Sequence, residues 1–265
     1  MDEGTGLWMI GGMIAGGVLA LISCWLRLLT WSGALAGFAL SVPLLGFGGY
    51  MWAMPMITFF VLSSLLSKAG RSIKKNCDLT FEKGSRRDAA QVLANGGVAG
   101  IMAVTYTMTG WIELYPFFCT ALAIAAADTW ATELGTLSQT TPRRVTNGQK
   151  VPTGTSGGIT IMGLISAVIG AFTVALSGWA FYGGWPMVAQ ITCYGLLGSL
   201  LDSFLGATVQ VQYSCVVCSK QTERMEHCNR PTDLVSGWMW MNNDWVNFLS
   251  ITGGTIIAGV IGWVQ

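Results

Sequence analysis

Eight apolar runs separated by short polar stretches constrain this chain more than any other feature. They lie near residues 7–26, 31–47, 50–66, 89–109, 114–135, 158–182, 186–207 and 246–264. About 20 residues rising about 1.5 Å each cross a hydrocarbon core of about 30 Å, so each run reads as a spanning helix. Pro43 and Pro55 interrupt the second and third runs. If residues 31–66 form a broken or re-entrant pair instead, the count falls from eight spans to six. Composition agrees with a membrane chain: 10% of residues are charged and mean hydropathy is +0.55, against about 25% charged in soluble domains. The expected fold class is all-α, a polytopic transmembrane helix bundle, with residues 1–265 forming one integral membrane domain.

The cations test that count. All 14 Lys and Arg fall in four places: Arg27 alone, seven from Lys68 to Arg87, three from Arg143 to Lys150, and three from Lys220 to Arg230. With eight spans all four places lie on one side, and the other side holds Asp2, Glu3 and Glu113. The positive-inside rule makes the cationic side cytoplasmic and puts both termini outside. The first run has an acidic start and no basic segment before it, so no cleavable signal is expected. Loop 68–88 has seven cations and three acids, a net +4. It suits anionic lipid headgroups or phosphate capture. Arg86 and Arg87 abut the fourth run and favour the second role.

Polar residues inside the runs point to a site at the cytoplasmic end. Gln91 and Asn95 share a helix face with Arg87, either as interhelical hydrogen-bond donors or as ligand contacts. Asp128 and Glu133 belong to the fifth run, where a charge costs about 2.5–3.5 kcal/mol at mid-bilayer and is a functional candidate by default. Five residues set the two carboxylates about 140° apart on an ideal helix. Asp128 is therefore expected to face the bundle interior and Glu133 the loop. Asp202-Ser-Phe in the seventh run echoes Asp128-Thr-Trp in the fifth, as in a degenerate internal repeat. Asn243, Asp244 and Asn247 open the last run. A cap accounts for the first two, but not for Asn247 one turn inside.

Acids from three helices near one membrane face suit Mg²⁺, which takes one or two carboxylates plus phosphates and waters. Arg86, Arg87, Arg143, Arg144 and Lys150 suit phosphate oxygens. Thr153, Gly154, Thr155, Ser156, Gly157 and Gly158 lead into the sixth run, so free N–H groups and a helix N-terminus form an expected anion seat. The loop lacks Walker A spacing. In the segment 208–245, expected to be a cytoplasmic loop, Cys215, Cys218, His227 and Cys228 give C-x2-C-x8-H-C. A structural Zn²⁺ knuckle is the favoured reading, a redox C-x-x-C the rival. Adjacent His and Cys strain a tetrahedral site, which leaves room for another fourth ligand. Cys24, Cys119 and Cys193 read as small apolar core residues, and Cys77 stands alone in the basic loop.

The segments GSRRDAAQVLANGG, AAADTWATELG, RRVTNGQKVPTGTSGGIT, DSFLGATVQ and NNDWVNFL together resemble the family of transmembrane protein 19, which includes the plant phytyl-phosphate kinase. The resemblance covers roughly residues 68–258. It implies a multi-helix protein of a prokaryotic cytoplasmic or plastid membrane, and phosphorylation of a prenyl monophosphate to the diphosphate. A distant similarity to polyprenol and phytol kinases implies CTP or another nucleoside triphosphate as donor. The Cys/His loop looks like the prokaryotic branch. On this reading Asp128 and Asp202, with Glu133 or Asp244, hold Mg²⁺. Arg87, Arg143 and Lys150 clamp phosphates, residues 153–158 cradle the donor, and Gln91, Asn95, Asn243 and Asn247 orient the acceptor. The partners expected are nucleotide, prenyl-lipid phosphate and membrane lipid, and no nucleic acid. Two other readings stay open: a transporter or flippase of an anionic lipid or small anion, and a cytidylyltransferase-like lipid enzyme.

Overall fold

Every apolar run folds as a helix. The structure is a computed structural model that describes residues 3–70, 86–182 and 184–262; Cys77 and most of the basic loop lie outside the described residues. In chain order come α1 (Glu3–Trp25), α2 (Trp31–Pro43), a π-helical turn (Leu44–Gly48), α3 (Gly49–Gly70), α4 (Ala89–Thr109), α5 (Tyr115–Gly135), α6 (Ile161–Ser177), the short α7 (Trp179–Tyr182), α8 (Trp185–Thr208) and α9 (Asn243–Gly262). Five of them, α3, α4, α5, α8 and α9, are long and apolar enough to cross a membrane. Three shorter apolar stretches lie at 10–25, 31–46 and 161–177. Among the described residues, length and composition therefore support five spans where the sequence led us to expect eight.

The shortfall has local causes. The α-helix of the second run ends at Pro43, since proline has no N–H for an i→i−4 bond. The chain continues as a π turn and then swings at Gly49, where φ is +63°. The sixth run loses its first turn because Gly158–Ile159 (β2) pairs antiparallel with Arg143–Arg144 (β1). Helix α6 then starts at Ile161, with Thr160 accepting from Gly163 N at 3.0 Å.

Side-chain contacts give the helix directions. Tyr115 donates to the Met51 carbonyl (2.9 Å), Trp130 Nε1 to Ser63 Oγ (3.3 Å), and Ser67 Oγ to Glu133 Oε1 (2.8 Å). Those three bonds, in the same order along both helices, set α3 parallel to α5. Helices α4, α6 and α9 begin at the end where α3, α5 and α8 finish, so the candidate polar residues collect there. The start of α4 is held by a capping box, in which Gln91 N donates to Asp88 Oδ1 and Gln91 Oε1 accepts from Asp88 N. Such a box contributes about 1 kcal/mol. Helix α5 packs against α3, α4, α6, α8 and α9. No residue from Phe118 to Ala127 is more than 2% exposed, which makes α5 the centre of the bundle. At its far end Trp52, Tyr106, Tyr115 and Phe118 form a ring cluster.

The 208–245 segment is more than a loop. It carries β3 (Gln212–Cys215), β4 (Gln221–Thr222), β5 (Glu226–His227) and β6 (Arg230–Ser236), an antiparallel sheet in the order β4-β3-β6-β5. Its root is tied to the bundle: Val211 N donates to the Met241 carbonyl and Trp238 N to the Val209 carbonyl. The bundle is helical as expected, and this small sheet is the addition.

Candidate active site

Asp128 of α5 and Asp202 of α8 meet. Their carboxyls are in hydrogen-bonding contact, and Ser250 Oγ of α9 donates to Asp202 Oδ2 at 2.9 Å. They sit in a cavity of about 110 Å³ that is also lined by Thr132, Thr160, Ser199, Ser203, Gln210, Glu223 and Asn243. Two carboxyls in contact either share a proton or hold a cation between them. Each was picked out in the sequence by position in an apolar run. That the two meet is read from the fold.

The roof is the segment Thr153, Gly154, Thr155, Ser156, Gly157 and Gly158, all of which line the cavity. Two successive turns shape it, with Thr155 N donating to the Pro152 carbonyl and Gly158 N to the Thr155 carbonyl. Gly157 has φ +74°, and a Cβ there would collide with Ala207 Cβ and the Ser203 carbonyl. Only glycine lets the loop lie this close to α8. The expected anion seat at the helix start is corrected: β2 and Thr160 separate the loop from α6, and Thr160 caps Gly163 N itself. Arg143 and Lys150 are exposed on the flap that residues 143–150 form beside the roof, bridged to each other through the backbone. Arg143 Nη1 donates to the Gly148 carbonyl at 2.8 Å, and Arg144 is half-buried.

The structure does not bring every candidate here. Glu133 points away from Asp128, toward Ser67 and Arg87. Burial lowers the Arg87 guanidinium below its ordinary value, and the Glu133 carboxylate works in the opposite sense. Arg86 Nη2 donates to the Leu29 carbonyl at 3.1 Å, bracing the α1–α2 turn. Gln91 is spent on the capping box, and Asn95 Nδ2 donates to the Gln91 carbonyl at 3.0 Å. Arg87, Gln91 and Asn95 do share a face. It borders a different, apolar cavity of about 250 Å³ among α1–α4. Asp244 and Asn247 are buried but do not line the Asp128 cavity. The cap of α9 is Asn242, whose Oδ1 accepts from Trp245 N.

Three residues escaped the sequence reading. Ser250 follows Asn243 and Asn247 at helical spacing, a signal that was available. Glu223 and Gln210 gave no such signal. Glu223 Oε1 accepts from Ser156 Oγ at 2.7 Å and from Gln210 Nε2 at 2.8 Å, contacts that only the folded sheet creates.

Cys215, Cys218, His227 and Cys228 converge, their ligand atoms all within 4.8 Å of one another. Tetrahedral Zn–S bonds of about 2.3 Å would set sulfurs about 3.8 Å apart, so the group fits a metal ion of that kind. The expected strain at the adjacent His-Cys pair is relieved by the backbone: Cys228 and Asn229 both adopt positive φ, +53° and +56°. Both side chains then turn to one side, and no outside ligand is required. Backbone N–H groups of Cys218 and Val217 hold the Cys215 thiol down at about 6. Desolvation and the Cys218 and Cys215 thiols push Cys228 up to about 11. Of the cysteines expected in the core, Cys119 is buried, Cys24 half-buried and Cys193 exposed.

Comparison with known proteins places this chain in a family. The family described as integral membrane protein DUF92 matches residues 14–255. The chain is 32% identical to Protein PGR of Arabidopsis thaliana, over 95% of each chain. It is 32% identical to an uncharacterized membrane protein of Methanocaldococcus jannaschii, over 83% of this chain and 87% of that one. It is 24% identical to Protein VTE6, chloroplastic, of A. thaliana, over 87% and 64%. No solved structure matches.

Proposed function

The chain belongs to the DUF92 family of integral membrane proteins, and from that premise we propose that it is a lipid-phosphate kinase. It transfers a phosphoryl group from a nucleoside triphosphate, CTP in first place, to a prenyl monophosphate such as phytyl phosphate. The family resemblance in the motifs supplies the reaction. The observation that carries the reading is the Asp128–Asp202 contact beneath the Thr153–Gly158 roof at one end of the bundle. A prenyl phosphate keeps its tail in lipid and its phosphate at the interface, and a polar cavity at one end of the bundle suits that division.

An oxygen of the prenyl phosphate attacks the γ-phosphorus, the bond from that phosphorus to the β-phosphate oxygen breaks, and the nucleoside diphosphate leaves. The acceptor is already an anionic nucleophile, so no general base is needed, and catalysis rests on positioning and charge. Asp128 and Asp202 are the groups that would hold Mg²⁺, which when bound neutralises phosphate charge. Roof N–H and hydroxyl groups cradle the donor phosphates, Arg143 and Lys150 draw them in, and Asn243 orients the acceptor. Cys215, Cys218, His227 and Cys228 are the groups that would hold a structural Zn²⁺. We place the polar end at the cytoplasmic face of the membrane. Transport is the weaker alternative, because among the described residues the candidate polar groups collect at one end, while the aromatic cluster around Trp52 packs the other.

Purified protein incubated with CTP or ATP, Mg²⁺ and a panel of prenyl monophosphates tests the reading by mass spectrometry. The diphosphate is expected. Its absence with every donor, or an Asp128→Asn variant as active as wild type, would sink it.

A further inference from the structure

Glu223 belongs to two structures at once. Along the chain it lies between Cys218 and His227, directly after β4. In space it is 8% exposed and lines the Asp128–Asp202 cavity, bonded to Ser156 of the roof and to Gln210 at the end of α8. Its carboxylate is close enough to act electrostatically on Asp202. The strands that carry this segment are short: β4 and β5 have two residues each. So few ladder bonds hold a segment weakly, and a metal closing Cys218 to His227 and Cys228 supplies the constraint that the strands lack.

We infer that the Cys/His group is a metal-dependent clamp on the candidate active site, with Glu223 as its positioning residue. A tetrahedral divalent metal of the zinc type fixes residues 219–226, which sets Glu223 against Ser156 and holds the Gly/Thr roof down on α8. Without the metal, Glu223 leaves Ser156 and the roof lifts. Gly157 is the hinge contact, because nothing larger fits between the roof and Ala207. The consequence for the donor nucleotide rests on the kinase reading; the consequence for the roof does not.

The test is hydrogen exchange on the full-length protein in lipid nanodiscs, with zinc content measured on the same samples. Wild type is expected to hold about one zinc per chain. Chelation, or Cys218→Ser, should speed exchange of amides 153–158 about tenfold, the effect of losing a charge-assisted hydrogen bond, while α5 amides 118–127 stay protected and show the bundle intact. Glu223→Ala should keep its zinc yet show the same fast roof. Glu223→Gln, whose amide oxygen still accepts from Ser156, should restore protection. In the kinase assay the alanine variant should raise KM for the nucleotide more than it lowers kcat, and glutamine should reverse most of that rise. Zinc well below one per chain overturns the clamp, as does a roof that exchanges at the wild-type rate after chelation or in Glu223→Ala. If wild type makes no diphosphate, the kinase reading fails while the exchange result still decides the clamp.

Discussion

The carboxyls of Asp128 and Asp202 touch across the α5–α8 interface, with Ser250 of α9 donating to the second of them. Three helices thus converge on one acidic pair. If the pair holds the cation of a phosphoryl transfer, each member is needed for the same event. Asp128→Asn and Asp202→Asn should each lower kcat by about 10²–10³-fold, the range for one preorganised electrostatic group. The double variant should be little worse than either, because groups acting as a unit are not additive. Ser250→Ala, which removes only an orienting bond, should cost about tenfold. Steady-state rates on variants that keep the wild-type elution profile check all four.

Glu133 makes the contrasting case. It faces Arg87 and Ser67 on the other side of α5 from Asp128. An opposite charge near a partly exposed carboxylate contributes about 0–1 kcal/mol, and the Ser67 hydrogen bond about 1 kcal/mol more. Glu133→Gln should therefore lower thermal stability and leave kcat within about threefold of wild type, far from the loss expected of a metal ligand. A double-mutant cycle with Arg87→Met should recover part of the stability, showing that the two act on each other.

The sequence carried the helices and the site to different depths. Apolar runs are long-range signals that survive any local detail, so α4 matches its expected bounds residue for residue. The 140° offset between Asp128 and Glu133 also held, since helical phase is a property of the chain alone. What the chain alone does not carry is which face meets which. Arg87, Gln91 and Asn95 were rightly placed together, but their face borders the apolar cavity among α1–α4. Glu223 was invisible for the same reason: its partners Ser156 and Gln210 lie on other elements. The strain expected of the adjacent His227-Cys228 pair is absent because Cys228 and Asn229 adopt left-handed backbone, which their spacing in the chain does not reveal.

Arg143 and Lys150 stand exposed beside the roof. A solvated cation that meets a phosphate contributes to capture more than to chemistry, and salt screens it. Lys150→Ala should raise KM for the nucleotide about tenfold, as loss of one charge-assisted bond does, with kcat nearly unchanged. Raising salt should weaken nucleotide binding in wild type more than in the variant. Titration at two ionic strengths measures both; an equal salt response would place Lys150 off the donor's path.

Gly157 tests the roof directly. Its φ is +74° and the space for a Cβ is taken by Ala207 and the Ser203 carbonyl. Gly157→Ala adds backbone strain and overpacking, each worth about 1–3 kcal/mol. The loop is expected to shift away from α8, lowering the melting temperature and raising nucleotide KM together. Ala207→Gly opens the space from the other side, so the double variant should regain part of the stability. No recovery would mean the strain, not the collision, dominates.

Helix directions make one prediction that involves no catalysis. Because α1 ends and α9 begins at the polar end, beside Arg87 and Asp202 respectively, the start of α1 and the end of α9 lie at the opposite end. Cations on the polar side should keep that side cytoplasmic. A reporter active only outside the cytoplasm, fused after Gln265, should therefore be active, and the same reporter inserted between Thr146 and Asn147 of the flap should be silent. The result depends on an even number of crossings, as eight or six spans give; crossing by only the five long apolar helices would put the two termini on opposite sides. Activity at the flap and silence at the terminus would invert the orientation and move the proposed site to the outer face, where no nucleotide donor is supplied.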